Sequence, residues 1–241
     1  MLYPNWTAPT NVGALSTTRQ GGVSHAPFMS LNLGLHVGDD QQAVLTNRAL
    51  LAAQLPKAPV WLNQIHSSEV VVVDEYFDPQ ANYDADALYT RLKNQPLAIM
   101  TADCLPVLLT SESGDEVAAI HGGWRGLHAG IIANTLRHFS SPAEQIIAWL
   151  GPAIGAAKFE VGSEVKALFC EQSASHHTAF VAQADGKYLA DIYLLATTQL
   201  INLGIRNISG GEYCTVSNSE QFFSYRRDGQ TGRMASLIWR K

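Results

Sequence analysis

Leu97-Ala98-Ile99-Met100-Thr101-Ala102-Asp103-Cys104-Leu105-Pro106-Val107-Leu108-Leu109-Thr110, followed shortly by Val117-Ala118-Ala119-Ile120-His121-Gly122-Gly123-Trp124-Arg125-Gly126, sets the character of the chain. The runs 97–101, 105–110 and 117–121 are short, apolar and bounded by turn formers, which predicts three strands. Working outward, strands are also expected at 69–74, near 145–150 ahead of Gly151-Pro152, and at 235–239. The opening segment from Gly13 reads as a strand running into the glycine loop Gly21-Gly22. Helical spacing appears over 41–55, with Val44, Leu45, Leu51 and Leu55 on one face and Asp40 as N-cap. It recurs over 126–139 through Leu127, Ile131, Leu136 and Phe139, over about 163–171 behind Ser163, and over about 189–203 before Gly204. Clustered strands mixed with four helices predict an α+β fold of mixed sheets, not a regular βαβ winding.

The chain has 241 residues, 46% of them hydrophobic, enough to bury a full core as one large domain or two intimately packed lobes. No linker, repeat or low-complexity tract divides it. Charged residues make up 15% and the formal net charge is -5, which argues against nucleic acid or an anionic membrane as the main partner. The N-terminus lacks the basic and apolar regions of a secretory signal, and no apolar run is long enough to cross a bilayer. Three cysteines, 104, 170 and 214, form no CxxC pair, so a disulfide framework is not expected and a reducing cytoplasm fits. Cys170 and Cys214 read as packing residues.

Three polar residues stand where strand-like runs meet turns: His66 in Asn63-Gln64-Ile65-His66, Cys104, and His121. Two imidazoles and a thiolate suit a borderline-soft metal such as zinc, and three protein ligands leave a position open for water or substrate. Singly, each is a weak candidate, since a lone histidine at a strand end is more often a hydrogen-bonded core residue than a ligand; what raises the three together is their shared setting beside short apolar runs. They lie far apart in sequence and form no zinc-finger signature. His128 and His138 read as surface or cap residues of the 126–139 helix. His25, His36, His176 and His177 have no comparable setting.

The chain resembles the YfiH-type family, also called laccase-domain or multicopper polyphenol oxidase proteins. Matching segments run along nearly the whole length: Thr18-Arg19-Gln20-Gly21-Gly22-Val23-Ser24, Leu31-Asn32-Leu33-Gly34, Val37-Gly38-Asp39-Asp40, Asn63-Gln64-Ile65-His66-Ser67, Thr101 to Val107, His121 to Gly126, Gly151-Pro152-Ala153-Ile154-Gly155, and Arg226 to Arg233. The resemblance implies a single domain over 1–241, a layered sandwich of mixed β-sheets flanked by helices, and a catalytic zinc held by His66, Cys104 and His121. It further implies a purine nucleoside enzyme. The activities attached to the family are phosphorolysis of adenosine, inosine, guanosine and methylthioadenosine, adenosine deamination, polyphenol oxidation and correction of peptidoglycan precursors.

Four chemistries follow. In a zinc enzyme for purine nucleosides, the metal would activate water for deamination at C6. His66-Ser67-Ser68-Glu69 stands where base deaminases carry HxE, so no acid/base residue is assigned by motif. Asp103 is a candidate for that role, or a structural neighbour of Cys104. Phosphorolysis needs an anion site, for which Arg19 and Arg125, each beside a glycine pair, are nominated. Gln64 is expected to face the site, and Arg226 and Arg227 are further possible members. A copper oxidase would want a His2Cys site, but laccase chemistry also needs a histidine-rich trinuclear centre that eight histidines without a His-x-His pair do not suggest. A metal-free cysteine hydrolase would use Cys104 as nucleophile and His121 or His66 as base. A non-enzymatic module with a structural zinc would need a fourth protein ligand.

Overall fold

The computed structural model describes residues 1–241. In chain order, β1 (Val12–Ser16) is followed by α1 (Gln41–Ala52), β2 (Val70–Val73), β3 (Ala87–Thr90), β4 (Leu97–Thr101), β5 (Leu105–Ser111) and β6 (Val117–Gly122). Next come α2 (Trp124–His128), α3 (Ile131–Leu136), β7 (Ile146–Leu150), β8 (Glu160–Val161), α4 (Ser163–Gln172), β9 (Phe180–Ala182), β10 (Tyr188–Ala190) and α5 (Ile192–Asn202). The chain closes with β11 (Asn207–Gly210), α6 (Tyr225–Asp228) and β12 (Met234–Arg240).

Alternation along the strands builds the layers. A six-stranded sheet has the order β11-β7-β5-β6-β3-β2, and a three-stranded sheet the order β1-β12-β4. The large sheet is antiparallel except at its outer pairs, β11 with β7 and β2 with β3. On β5, Leu105, Val107 and Leu109 face a core shared with α2, α3, α4 and α5, while Leu108 points to the opposite face. There it meets Leu97 and Ile99 of β4 and Ile238 of β12, so the two sheets pack on each other. The far side of the small sheet sends Ala98, Ala235 and Leu237 against Leu51 of α1. The result is α1, small sheet, large sheet, helices: the expected α+β sandwich. A separate small sheet, β8-β10-β9, borders the helical layer.

Several expectations need correction. The 126–139 helix is two short helices, because Gly130 between them adopts a left-handed φ of 86°. The helix expected from 189 starts at Ile192, since 188–190 pair as β10 and Asp191 caps the helix through Leu194 N–H. The 163–171 helix begins at Ser163 itself behind Gly162. Asp40 does cap α1, accepting from Ala43 N–H at 2.7 Å, but Leu45 lies exposed and the face is completed by buried Asn47. That amide donates to Ser24, Ser30 and Asn32, tying the opening loop to the helix. Strands β3, β8, β9, β10 and β11 carry too few apolar residues in a row to stand out in sequence.

Candidate metal centre

Sheet topology gathers the three residues at one end of the sandwich. β4 belongs to the small sheet and β5 to the large one, so Ala102-Asp103-Cys104 is a three-residue span between layers with Cys104 at its end. β5 runs antiparallel to β6, and His121 near the end of β6 pairs with Pro106 at the start of β5. β3 runs antiparallel to β6 on the other side, so Asp86, just before β3, lies beside His121 and accepts its backbone N–H at 2.7 Å. The His66 loop is then pinned to Asp86. His66 itself takes a positive φ of 61°.

Asp86, fully buried, organises the centre. One carboxylate oxygen accepts from His66 N–H at 3.0 Å and from His121 Nδ1 at 2.7 Å. The other accepts from the Ser67 N–H and hydroxyl at 2.5 and 2.8 Å and from Ile65 N–H at 3.3 Å. Burial alone would raise the pKa of this carboxyl, but His121 and Ser67 outweigh it and hold it at about 2. With Nδ1 committed to Asp86, His121 offers Nε2 to the group, the carboxylate–histidine pairing that orients metal ligands.

His66, Cys104 and His121 present donor atoms that all lie within 4.8 Å of one another. Cys104 Sγ is 3.8 Å from His66 Nε2, and the two imidazoles meet edge-on with ring centroids 4.7 Å apart. Metal bonds of roughly 2.0–2.3 Å at near-tetrahedral angles separate donors by roughly 3.5 Å, so the group fits one ion. No fourth His, Cys, Asp or Glu joins it. Burial pushes the Cys104 thiol up, but His121 and His66 outweigh burial and bring it below its usual range. Burial works against the His121 proton, and the Cys104 and Asp86 charges outweigh that in turn. A thiolate is therefore available as a ligand, and a cation binding there would displace the His121 proton. Gly123 leaves the necessary space: a Cβ there would stand 2.9 Å from His66 Cδ2 and 3.3 Å from Cys104 Sγ.

Two clefts open on the group, of about 360 and 250 Å3, and share His66, Cys104, Ala102 and Tyr225. The first carries His36, Gln64 and Arg233; the second carries Trp124, Arg125, Phe159 and Arg226. Gln64 does face the site, but its amide is spent on Met100 of β4, donating to the carbonyl at 2.8 Å and accepting the N–H at 2.7 Å. Arg125 is exposed, stacks on Trp124 at 4.4 Å and belongs to none of the three ion pairs. Arg19 is not brought to the group: its guanidinium donates to the carbonyls of Met29 and Ser219 and lies over Phe223. Arg226 lines the second cleft, donating to the Glu160 carbonyl at 3.0 Å. Arg227 is instead consumed by the carbonyls of Thr215, Val216 and Phe222 and by Asp228.

Asp103 is a tie between segments. Its carboxylate accepts from Thr215 and Ser224 hydroxyls and from Arg226 N–H, locking α6 onto the β4–β5 turn. Cys214 is more than packing, since its sulfur accepts Gly155 N–H; burial raises the thiol, but Ser217 and neighbouring amides outweigh this and lower it. His138 is exposed as expected, whereas His128, the last residue of α2, is half-buried edge-on to Phe169. Sequence reasoning missed Asp86, Tyr225, Arg233 and His36. Asp86 left one readable trace, a carboxylate directly ahead of the apolar Ala87-Leu88. The other three sit in loops or a single helical turn, where no periodicity marks them.

An α+β sandwich with an open His–Cys–His group at one end defines a protein with a candidate metal centre. The chain belongs to the family described as multi-copper polyphenol oxidoreductase laccase, whose sequence profile matches residues 13–241. It is 52% identical to a Haemophilus influenzae protein named purine nucleoside phosphorylase, over 99% of this chain and 98% of that one. It is 50% identical to Escherichia coli purine nucleoside phosphorylase YfiH over the same shares. Among solved structures, Neisseria meningitidis protein NMB0706 matches with a TM-score of 0.94 at 47% identity, covering 100% of this chain and 98% of its own. Bacillus licheniformis YfiH matches with a TM-score of 0.91 at 33% identity, covering 95% and 93%. No helix is long and apolar enough to cross a membrane.

Proposed function

We propose that this protein is a zinc-dependent purine nucleoside enzyme that phosphorolyses purine nucleosides and deaminates adenosine at the same centre. One observation carries the reading: two imidazoles and a thiolate converge in a cleft, on a chain half identical over its length to proteins named purine nucleoside phosphorylase. His66, Cys104 and His121 would hold the zinc, which when bound would supply Lewis-acid chemistry to the cleft. Asp86 fixes the His121 ring and the His66 backbone, so the ligand geometry is set before substrate arrives. In phosphorolysis a phosphate oxygen bonds to C1′ of the ribose, and the C1′–N9 bond breaks. N9 takes the electron pair and a proton settles on the base, leaving ribose 1-phosphate. In deamination a water oxygen bonds to C6 of adenine, the C6–N bond breaks, and ammonia leaves with the transferred protons. Arg125 anchors substrate at the mouth of the second cleft, and Gln64 positions the His66 loop. The three free cysteines support a reducing, cytoplasmic setting.

Adenosine and phosphate incubated with the protein are expected to give adenine, inosine or hypoxanthine by chromatography. No product at high enzyme concentration, with His121→Ala indistinguishable, removes the proposal. A multicopper reading has less support, because the six other histidines join no second cluster. The cysteine hydrolase reading has one specific support, the Asp86–His121–Cys104 relay of carboxylate, imidazole and thiolate. Elemental analysis separates the two. Stoichiometric zinc lost in Cys104→Ala favours the metal enzyme, and an active, metal-free protein alkylated by iodoacetamide favours the nucleophile.

A further inference from the structure

The two clefts differ in chemistry. The second is walled by Trp124, Ile154, Phe159 and Ile192, apolar and aromatic surfaces suited to a flat heterocycle. The first has no carboxylate in its lining, although acidic residues outnumber Lys and Arg in the chain. It presents instead His36 and Arg233. Arg233 is held in place: one terminal nitrogen donates to the carbonyls of Thr231 and Gly232 at 3.0 and 3.1 Å. Its stem fills the space above Gly34, where a Cβ would stand 2.8 Å from Arg233 Cγ. Its Nε and second terminal nitrogen make no hydrogen bond within the protein, and the side chain lines the cleft. Of the other polar groups there, Gln64 is committed to Met100, and His66, Cys104 and His121 form the candidate metal group.

We infer that the His36–Arg233 cleft is the subsite for the tetrahedral oxyanion, inorganic phosphate, and that the purine occupies the Trp124–Phe159 cleft across the ridge formed by His66, Cys104 and Tyr225. This rests on the phosphorolysis reading and names which cleft takes which reactant. Displacement at C1′ requires phosphate and base on opposite sides of the ribosyl carbon, and two clefts that share one ridge provide that separation. Arg233 serves as a bidentate donor of fixed pose, with His36 at the exposed rim. Arg125, stacked on Trp124, belongs to the base side.

The test titrates inorganic phosphate into the purified protein, followed by 31P line broadening. It compares wild type, Arg233→Met, His36→Glu and Arg125→Met, with Arg137→Met as an exposed control and thermal melts confirming folding. His36→Glu keeps the test decisive if Arg233→Met unfolds, because His36 is exposed and its side chain takes part in no hydrogen bond of the fold. Phosphate affinity is expected to fall at least tenfold in Arg233→Met and His36→Glu and to stay within twofold in Arg125→Met. In turnover, KM for phosphate should rise at least tenfold in the first two, with KM for the nucleoside changed less than threefold. Loss of phosphate binding only in Arg125→Met, or no phosphate binding by wild type, overturns the assignment. Wild type that binds phosphate through His36 and Arg233 but converts no nucleoside supports the subsite and sinks the phosphorolysis reading. Phosphorolysis with an unchanged KM for phosphate in both variants does the reverse.

Discussion

A methyl group on Gly123 would stand 2.9 Å from His66 Cδ2, 3.3 Å from Cys104 Sγ and 3.7 Å from His121 Cε1, touching all three members of the group at once. Its backbone φ of -64° suits alanine, so Gly123→Ala carries no dihedral strain and its effect is confined to the site. The expected outcome is a melting temperature within a few degrees of wild type but zinc affinity weakened at least tenfold, measured by chelator competition. Asp86→Asn behaves differently. It keeps the shape but leaves five donors facing a neutral amide, so stability should fall by about 3 kcal/mol and zinc affinity by roughly 10- to 100-fold. The pH dependence has a definite sign. The folded carboxyl titrates at about 2, below the 3.8 of a free one, so its contribution is complete above the free value and is lost as pH falls toward 2. Acid titrations of unfolding free energy should therefore show a steeper loss for wild type than for Asp86→Asn below about pH 4. His66, Cys104 and His121 were nameable from sequence because the residue types themselves carry the chemistry. Asp86 was not, since an aspartate ahead of a strand is ordinary until the fold sets it against a histidine.

Between Leu127 and Leu136 the chain keeps its apolar spacing, and Leu127 and Ile131 reach the core as expected, yet the helix breaks. The reason lies in Gly130, whose left-handed conformation re-aims α3 against β3 and β6 without disturbing the pattern of buried positions. Periodicity reports which face is buried; it does not report a kink between two helices that bury the same face. A Cβ on Gly130 meets nothing within 4 Å, so Gly130→Ala isolates the backbone cost, expected at about 1 kcal/mol in denaturant unfolding with the His66–Cys104–His121 group undisturbed. The edge strand β11 escaped notice for a related reason, because Asn207-Ile208-Ser209-Gly210 carries one large apolar residue in a parallel pairing with β7. A second element-level anchor is Glu116, buried at the head of β6. It accepts from the Tyr89 hydroxyl at 2.6 Å and from Ser140 and Ser141 N–H at 2.7 and 3.0 Å, tying β3 and the segment after α3 together. Glu116→Gln should lower stability by about 2 kcal/mol while leaving metal content unchanged, which separates scaffold from site.

At the scale of the molecule, the alternation of apolar residues makes the strands and their mixing with helices readable, whereas the sandwich of one sheet on another follows only from the family resemblance and from no local pattern. Nothing local in Leu97-Ala98-Ile99 or Leu105-Pro106-Val107-Leu108 says that the two strands join different sheets; pairing partners more than a hundred residues away, such as β12 for β4, decide it. Zinc that binds the folded chain only should raise the melting temperature with concentration, by the equivalent of about 2.7 kcal/mol at a hundredfold excess over its dissociation constant, and Cys104→Ala should abolish that rise. The placement of Cys104 on the three-residue span between sheets has one more consequence. Its sulfur is borne by the crossover from one layer while His121 is carried within the other, so any slippage along the seam between them changes the thiolate–imidazole separation directly. The centre thus acts as a strain gauge for inter-sheet packing. A thinned seam, as in Leu108→Ala, should release the ion at temperatures where the strands are still fully paired.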